Sequence, residues 1–241
     1  MVCAGPLVTD DTGTAEPGTI EYLLYVSGER RDINRSGELP GIEFSYGLNE
    51  SMDISLVLPR QYTDGEPALP AESDLVAEET EETGFGTAEI GWKWRFYDEG
   101  FSLAFAPSYS FPLSEIAQVR GLIEEAHVLS LPLVATVIRG DWELGGEVGY
   151  DAYRRDLDAF RYGIYTAFQA TDSLRLMGEV WGNDFFSDGD SLSFTNWRVG
   201  LEWAVSERIT LSAAGGGGIW SELDSEERLR GDYFLGLGWT H

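Results

Sequence analysis

Sulfur, histidine and lysine chemistry are almost missing from this chain. Its 241 residues include one cysteine, Cys3, which excludes an internal disulfide and a cysteine-built metal cage. Lysine occurs once, at Lys93, and the other basic residues are arginines. Cations are scarce altogether, 16 against 42 acids, for a formal charge of −26. A nucleic-acid partner requires a basic footprint on its phosphates, so none is expected. Long apolar runs are also missing. The best stretch, 128–138, is broken by Ser130, Pro132 and Thr136 and falls short of the ~18 residues of a membrane helix. No cofactor motif is present and no cofactor is expected.

Glycine (29 residues) and aromatic side chains (13%) are plentiful instead, a mixture typical of closed β architecture. Alternation dominates from end to end. One face of successive segments reads Ile20, Tyr22, Leu24, Val26, then Ile42, Phe44, Tyr46, then Met52, Ile54, Leu56, Leu58. The pattern continues through Leu129, Leu131, Leu133 and Trp197, Val199, Leu201, Trp203 to Tyr233, Leu235, Leu237, Trp239. Twelve such segments can be traced, and no charge falls on this face of any of them. The opposite face carries charges of both signs among Gly, Ala and Ser: Glu43, Glu89, Lys93, Arg95, Glu143, Glu147, Arg161, Arg175, Glu179, Arg198 and Glu202.

Connection lengths carry a second signal. The links at 47–51, 97–100, 138–141, 170–173 and 205–208 are short. Those at 28–38, 59–84, 112–126, 151–158, 184–191 and 220–231 are mostly much longer, and the two kinds alternate. Antiparallel neighbours with tight turns at one end and long loops at the other describe an up-and-down barrel. Aromatics mark the tight end: Tyr46, Phe96, Phe101, Trp142, Phe168 and Trp203 flank its turns, and Trp239 closes the last segment.

Alternation does not say which face looks outward. Soluble up-and-down barrels usually stop near ~8 strands, and twelve would leave an interior too wide for side chains to fill. With the apolar face outward, the strands suit hydrocarbon and the charges line a wet interior, while closure satisfies every backbone group. The expectation is therefore an all-β, closed antiparallel up-and-down transmembrane β-barrel of about twelve strands. It forms a single domain over 1–241, with an N-terminal periplasmic segment at 1–18 and the barrel at 19–241. Both termini and the tight turns are expected in the periplasm. Val2 and Ala4 stand at the −3 and −1 spacing of a signal-peptidase site, so removal of a signal peptide before Gly5 is expected.

The opening Gly5-Pro-Leu-Val-Thr-Asp-Asp-Thr-Gly-Thr14, with Pro17-Gly18, resembles a family of outer-membrane barrels labelled for the MetA pathway of phenol degradation. The stretches Gly86-Thr-Ala-Glu-Ile-Gly-Trp-Lys-Trp-Arg-Phe96 and Trp142-Glu-Leu-Gly-Gly-Glu-Val-Gly-Tyr150 are similar to strands of that family. The resemblance implies an outer-membrane barrel for passage of small, hydrophobic or aromatic compounds, without catalytic residues.

The charged face admits two readings, a structural network of cross-strand ion pairs and a permeation path, and the two can coexist. The acidic loop 63–83 lacks the fixed ligand spacing that hard cations need and reads as a solvated loop that repels anions. His127 and Ser130 fall on opposite faces of an extended strand, so they do not form a nucleophile–base pair. Gly215-Gly-Gly-Gly218 lies in a strand and marks a close backbone approach rather than a phosphate cradle. Thr9-Asp-Asp-Thr12 admits a cation site, a lumen plug or a plain structured segment, and the last is expected. The functional expectation is a passive pore in the bacterial outer membrane, touching lipid and lipopolysaccharide and inserted by the barrel-assembly machinery. The alternatives are a lipid-modifying enzyme, a non-conducting barrel whose loops bind a partner, and a soluble carrier.

Overall fold

Period-2 segments without a charge on one face must pair edge to edge and hide that face from water. In a computed structural model they do so as one closed sheet. The structure describes residues 6–31, 34–65, 82–114, 127–154, 158–187, 190–222 and 229–241. Its strands are β1 (Ile20–Arg30), β2 (Asn34–Asn49), β3 (Met52–Gly65), β4 (Glu82–Phe85), β5 (Thr87–Asp98), β6 (Ser102–Phe105) and β7 (Ser108–Pro112). They continue as β8 (Val128–Arg139), β9 (Trp142–Tyr153), β10 (Asp158–Thr171), β11 (Leu174–Ser187), β12 (Asp190–Ser206), β13 (Ile209–Ser221) and β14 (Gly231–Thr240).

Fourteen segments make twelve staves. Gly86 interrupts one stave between β4 and β5, and Ala106-Pro107 interrupts the next between β6 and β7. A proline has no N–H for the ladder, which explains the second break. Both halves of that stave still pair with β5 on one side and β8 on the other. All pairing is antiparallel between chain neighbours, and β1 closes the ring on β14 with Tyr22 opposite Trp239 and Val26 opposite Leu235.

The apolar face looks outward. Leu131, Trp197 and Leu235 are exposed, whereas Glu21, Glu43, Glu147 and Glu179 are buried inside the ring. Tyr46, Phe96, Phe101, Trp142, Trp203 and Trp239 are exposed around the short-turn end, and the Trp142 and Phe168 rings meet at 4.8 Å. Such a girdle belongs where hydrocarbon gives way to water. No described helix is long and apolar enough to cross a membrane, which says nothing of a β-barrel.

Several connections expected to be long are shorter than the period-2 reading placed them. β2 has 16 residues and β12 has 17, beyond the roughly 9–11 needed to span. β1 runs to Arg30 and β2 begins at Asn34, while β11 runs to Ser187 and β12 begins at Asp190. The acidic stretch 66–81 lies outside the described residues.

Candidate functional site

The inward rows of the staves meet a segment absent from the sheet. Of the N-terminal segment expected at 1–18, the described residues 6–15 run inside the ring. The chain crosses the short-turn end beside Gly47, where Pro17 bridges to Gly47 and Gly18 N donates to Gly47 O at 2.8 Å. A Cβ at Gly47 would overlap the Ala15 and Glu16 carbonyls, so only glycine lets the chain pass so close.

From there the segment is held by side chains of the wall, because a chain outside the sheet must find other partners for its N–H groups. Ala15 N donates to Asp53 Oδ2 at 3.0 Å, Thr12 N to Thr136 Oγ1 at 3.3 Å and Asp10 N to Glu147 Oε2 at 3.0 Å. Val8 N and Thr9 N both donate to Glu179, at 2.7 and 2.8 Å. Arg198 Nη1 donates to Pro6 O at 3.0 Å, and Lys93 Nζ reaches Asp10 Oδ1 at 2.7 Å. Hydrogen bonds with an ionised partner are the stronger kind, and most of these have one. Gly163 on β10 leaves room for Thr9, whose side chain a Cβ there would overlap. Of the readings open for Thr9-Asp-Asp-Thr12, the geometry is that of a plug: Asp10 faces Lys93, and Asp11 accepts Gly13 N at 2.7 Å.

Most charged positions singled out from the sequence line this interior. Arg161 pairs with Glu147 at 3.1 Å, and Arg175 bridges Glu143 at 2.8 Å and Glu202 at 3.1 Å. Tyr165 OH adds a bond to Glu143 at 2.6 Å. Glu179 and Arg198 stand opposite each other in the ladder, yet Arg198 turns to Asp232 at 2.6 Å while Glu179 takes the plug. Glu43 accepts from Ser45 at 3.4 Å and Glu89 from Ser110 at 3.0 Å. Arg95 stands apart from the network. It binds Glu50 O at 2.6 Å and Asp98 at 3.5 Å beside the short turns.

Sequence reasoning passed over an apolar patch on the charged face. Leu23, Tyr25 and Phe234 form a buried cluster inside the lumen, with Val57 and Ala214 against it, and the Tyr25 and Phe234 rings stack at 5.5 Å. Tyr25 lies over Gly41 and Tyr165 over Gly145, its register partners, so the glycines make room for the rings. That pairing of an inward ring with a facing glycine was the available signal. Glu38 gave none. The register shift between Glu38 and Gly41, a bulge in β2, turns it into the lumen against simple alternation.

Around the plug remains a cavity of about 430 Å³, lined by residues 7–11 and by inward side chains of β1, β2, β3, β5, β7, β10, β11, β12 and β14. Seven carboxylates and four cations line it, together with Leu23, Tyr25, Val57 and Phe234.

No protein-family model and no curated protein matches the chain. Solved structures do. The COG4313 outer membrane channel from Pseudomonas putida F1 superposes with a TM-score of 0.79 at 13% identity, over 98% of this chain and 100% of that one. The NanC porin gives 0.61 at 9% identity and the KdgM porin 0.57 at 8%, each over 90% of this chain and 98% of its own. At such identities the likeness is one of fold: the chain shares the architecture of outer-membrane β-barrel channels.

Proposed function

We propose that the protein is a bacterial outer-membrane pore through which small, hydrophobic or aromatic compounds diffuse passively. The observation that carries this reading is the cavity beside the plug, because a lumen holding a chain segment and still about 430 Å³ of space has room for a small solute. The mixed lining supports the solute class: charged groups keep the lane wet, and Tyr25, Phe234 and Leu23 offer an apolar wall. The structural neighbours named as channel and porins agree with it. So does the resemblance to the phenol-degradation family.

In this reading the ion pairs shape the lane, and the acidic outer loops repel anions at its mouth. The short turns face the periplasm, and the outer surface contacts lipid and lipopolysaccharide after insertion by the barrel-assembly machinery. One KdgM structure is described in complex with disordered oligogalacturonate, a carboxylated sugar polymer. A lining of seven carboxylates against four cations argues against cargo of that sign here.

A lipid-modifying enzyme is the less favoured reading. Ser130 is buried inside the ring, whereas His127 Nδ1 is bonded to the exposed Tyr109 hydroxyl at 2.9 Å. Single-channel recording in planar bilayers tests the pore. Steady ohmic current with a cation preference is expected, and a silent, correctly folded barrel would overturn it in favour of a surface-binding protein.

A further inference from the structure

Part of the lumen wall carries acids that no cation touches. The cations of the lumen are all taken: Lys93 by Asp10, Arg161 by Glu147, Arg175 by Glu143 and Glu202, and Arg198 by Asp232. Among the described residues, no Lys or Arg lies within ion-pair distance of Glu38, Glu43 or Glu89, although all three line the cavity. Glu43 is only 9% exposed, and its described bond is the long one from Ser45. Glu89 acts on both Glu38 and Glu43, all three act on Tyr25, Tyr25 and Gln61 bond Glu38, and Lys93 draws on Glu43 from beyond ion-pair distance. A buried carboxylate with no cation in contact is costly unless it takes up a proton or a cation joins it.

Beside them stands the stacked Tyr25–Phe234 pair, with Leu23 against it. A ring face attracts cations, and a carboxylate within a few ångströms adds a Coulomb attraction that the partly desolvated lumen screens weakly. A small neutral aromatic would use the rings and ignore the acids. An inorganic cation would use the acids and ignore the rings. An organic ammonium with an apolar body uses both.

We infer that the cavity beside the N-terminal segment is a binding subsite for small amphiphilic organic cations, with Glu43 and Glu89 receiving the ammonium and Tyr25 and Phe234 the apolar body. This deepens the pore reading and rests on it for the idea that such a cation is cargo, while the binding itself requires no conduction.

The test uses the full chain, folded in detergent, with three probes of one shape: benzylammonium, benzyl alcohol and benzoate. Isothermal titration calorimetry at low salt is expected to rank benzylammonium first, benzyl alcohol second and benzoate last. The double variant Glu43→Gln, Glu89→Gln is expected to weaken benzylammonium by about tenfold and leave benzyl alcohol in place. Tyr25→Leu weakens both. Heat-dependent gel mobility reports folding, and if a variant does not fold the three-probe ranking on the unaltered protein decides. Benzoate binding as tightly as benzylammonium, absence of benzylammonium binding, or a folded double variant that binds it unchanged would overturn the subsite. Current in potassium chloride, measured on the same preparation, separates the two ideas. A barrel that binds benzylammonium and passes no current removes the pore and keeps the subsite, and the reverse result does the opposite.

Discussion

Lys93 Nζ on β5 lies 2.7 Å from Asp10 Oδ1 on the N-terminal segment, so the one lysine of the chain ties its plug to its wall. The Lys93 side chain is 11% exposed and that of Asp10 is 35% exposed. Removing one member of a fully dry pair costs about 3–5 kcal/mol, and the exposure of Asp10 makes the cost here smaller. Lys93→Met is therefore expected to loosen residues 6–15 without dismantling the barrel. Limited proteolysis checks this: the N-terminal segment becomes cleavable while the barrel band survives. Equal protection in both proteins would show that the pair does not hold the plug.

Gly163 offers a steric handle on the same segment that leaves every ion pair in place. A Cβ there overlaps Thr9, so Gly163→Val cannot coexist with the docked segment unless one of them moves. Single-channel conductance is expected to rise severalfold, as it should on deleting residues 6–15. A deletion that leaves conductance unchanged would mean that the segment does not limit the lane.

Arg175 holds Glu143 and Glu202 together across β9, β11 and β12. Arg175→Met leaves two neighbouring carboxylates without a cation. Each side chain keeps about a fifth to a quarter of its surface exposed, so the loss falls below the dry-pair range of about 3–5 kcal/mol. Thermal unfolding followed by circular dichroism should show a lower midpoint, and reversal potentials should move further toward cation preference. An unchanged midpoint would mark the bridge as energetically idle.

Leu133 sits on the outer face of β8, and the inward Val134 beside it is buried. An arginine on the lipid face near mid-membrane costs about 2–4 kcal/mol. Leu133→Arg should destabilise folding into vesicles by that order in a denaturant titration. A change near zero would argue that this face does not meet hydrocarbon.

Much of the molecule can be read from local pattern. A period of two with a charge-free face is a property of each segment alone, so Leu131, Trp197 and Leu235 announce that they share one apolar face, and the count of twelve strands turns that face outward. Strand count and the sidedness of the turns follow from spacing. Patterns fail where a bulge resets the phase, as at Glu38, and where strands outrun the apolar band, as in β2 and β12. A ring opposite a glycine, as with Tyr25 and Gly41, becomes visible only once the register is known.

Alternation and spacing were enough to dictate twelve staves with one apolar face, because those features act through the nearest residues, and the stave count then turned that face outward. The partners inside it were decided by closure. Asp10 and Lys93 are 83 positions apart and Val8 and Glu179 are 171 apart, and no local pattern links either pair. They meet because bending the sheet into a ring brings distant staves around one axis, where the unpaired N–H groups of the N-terminal segment find the carboxylates of the wall.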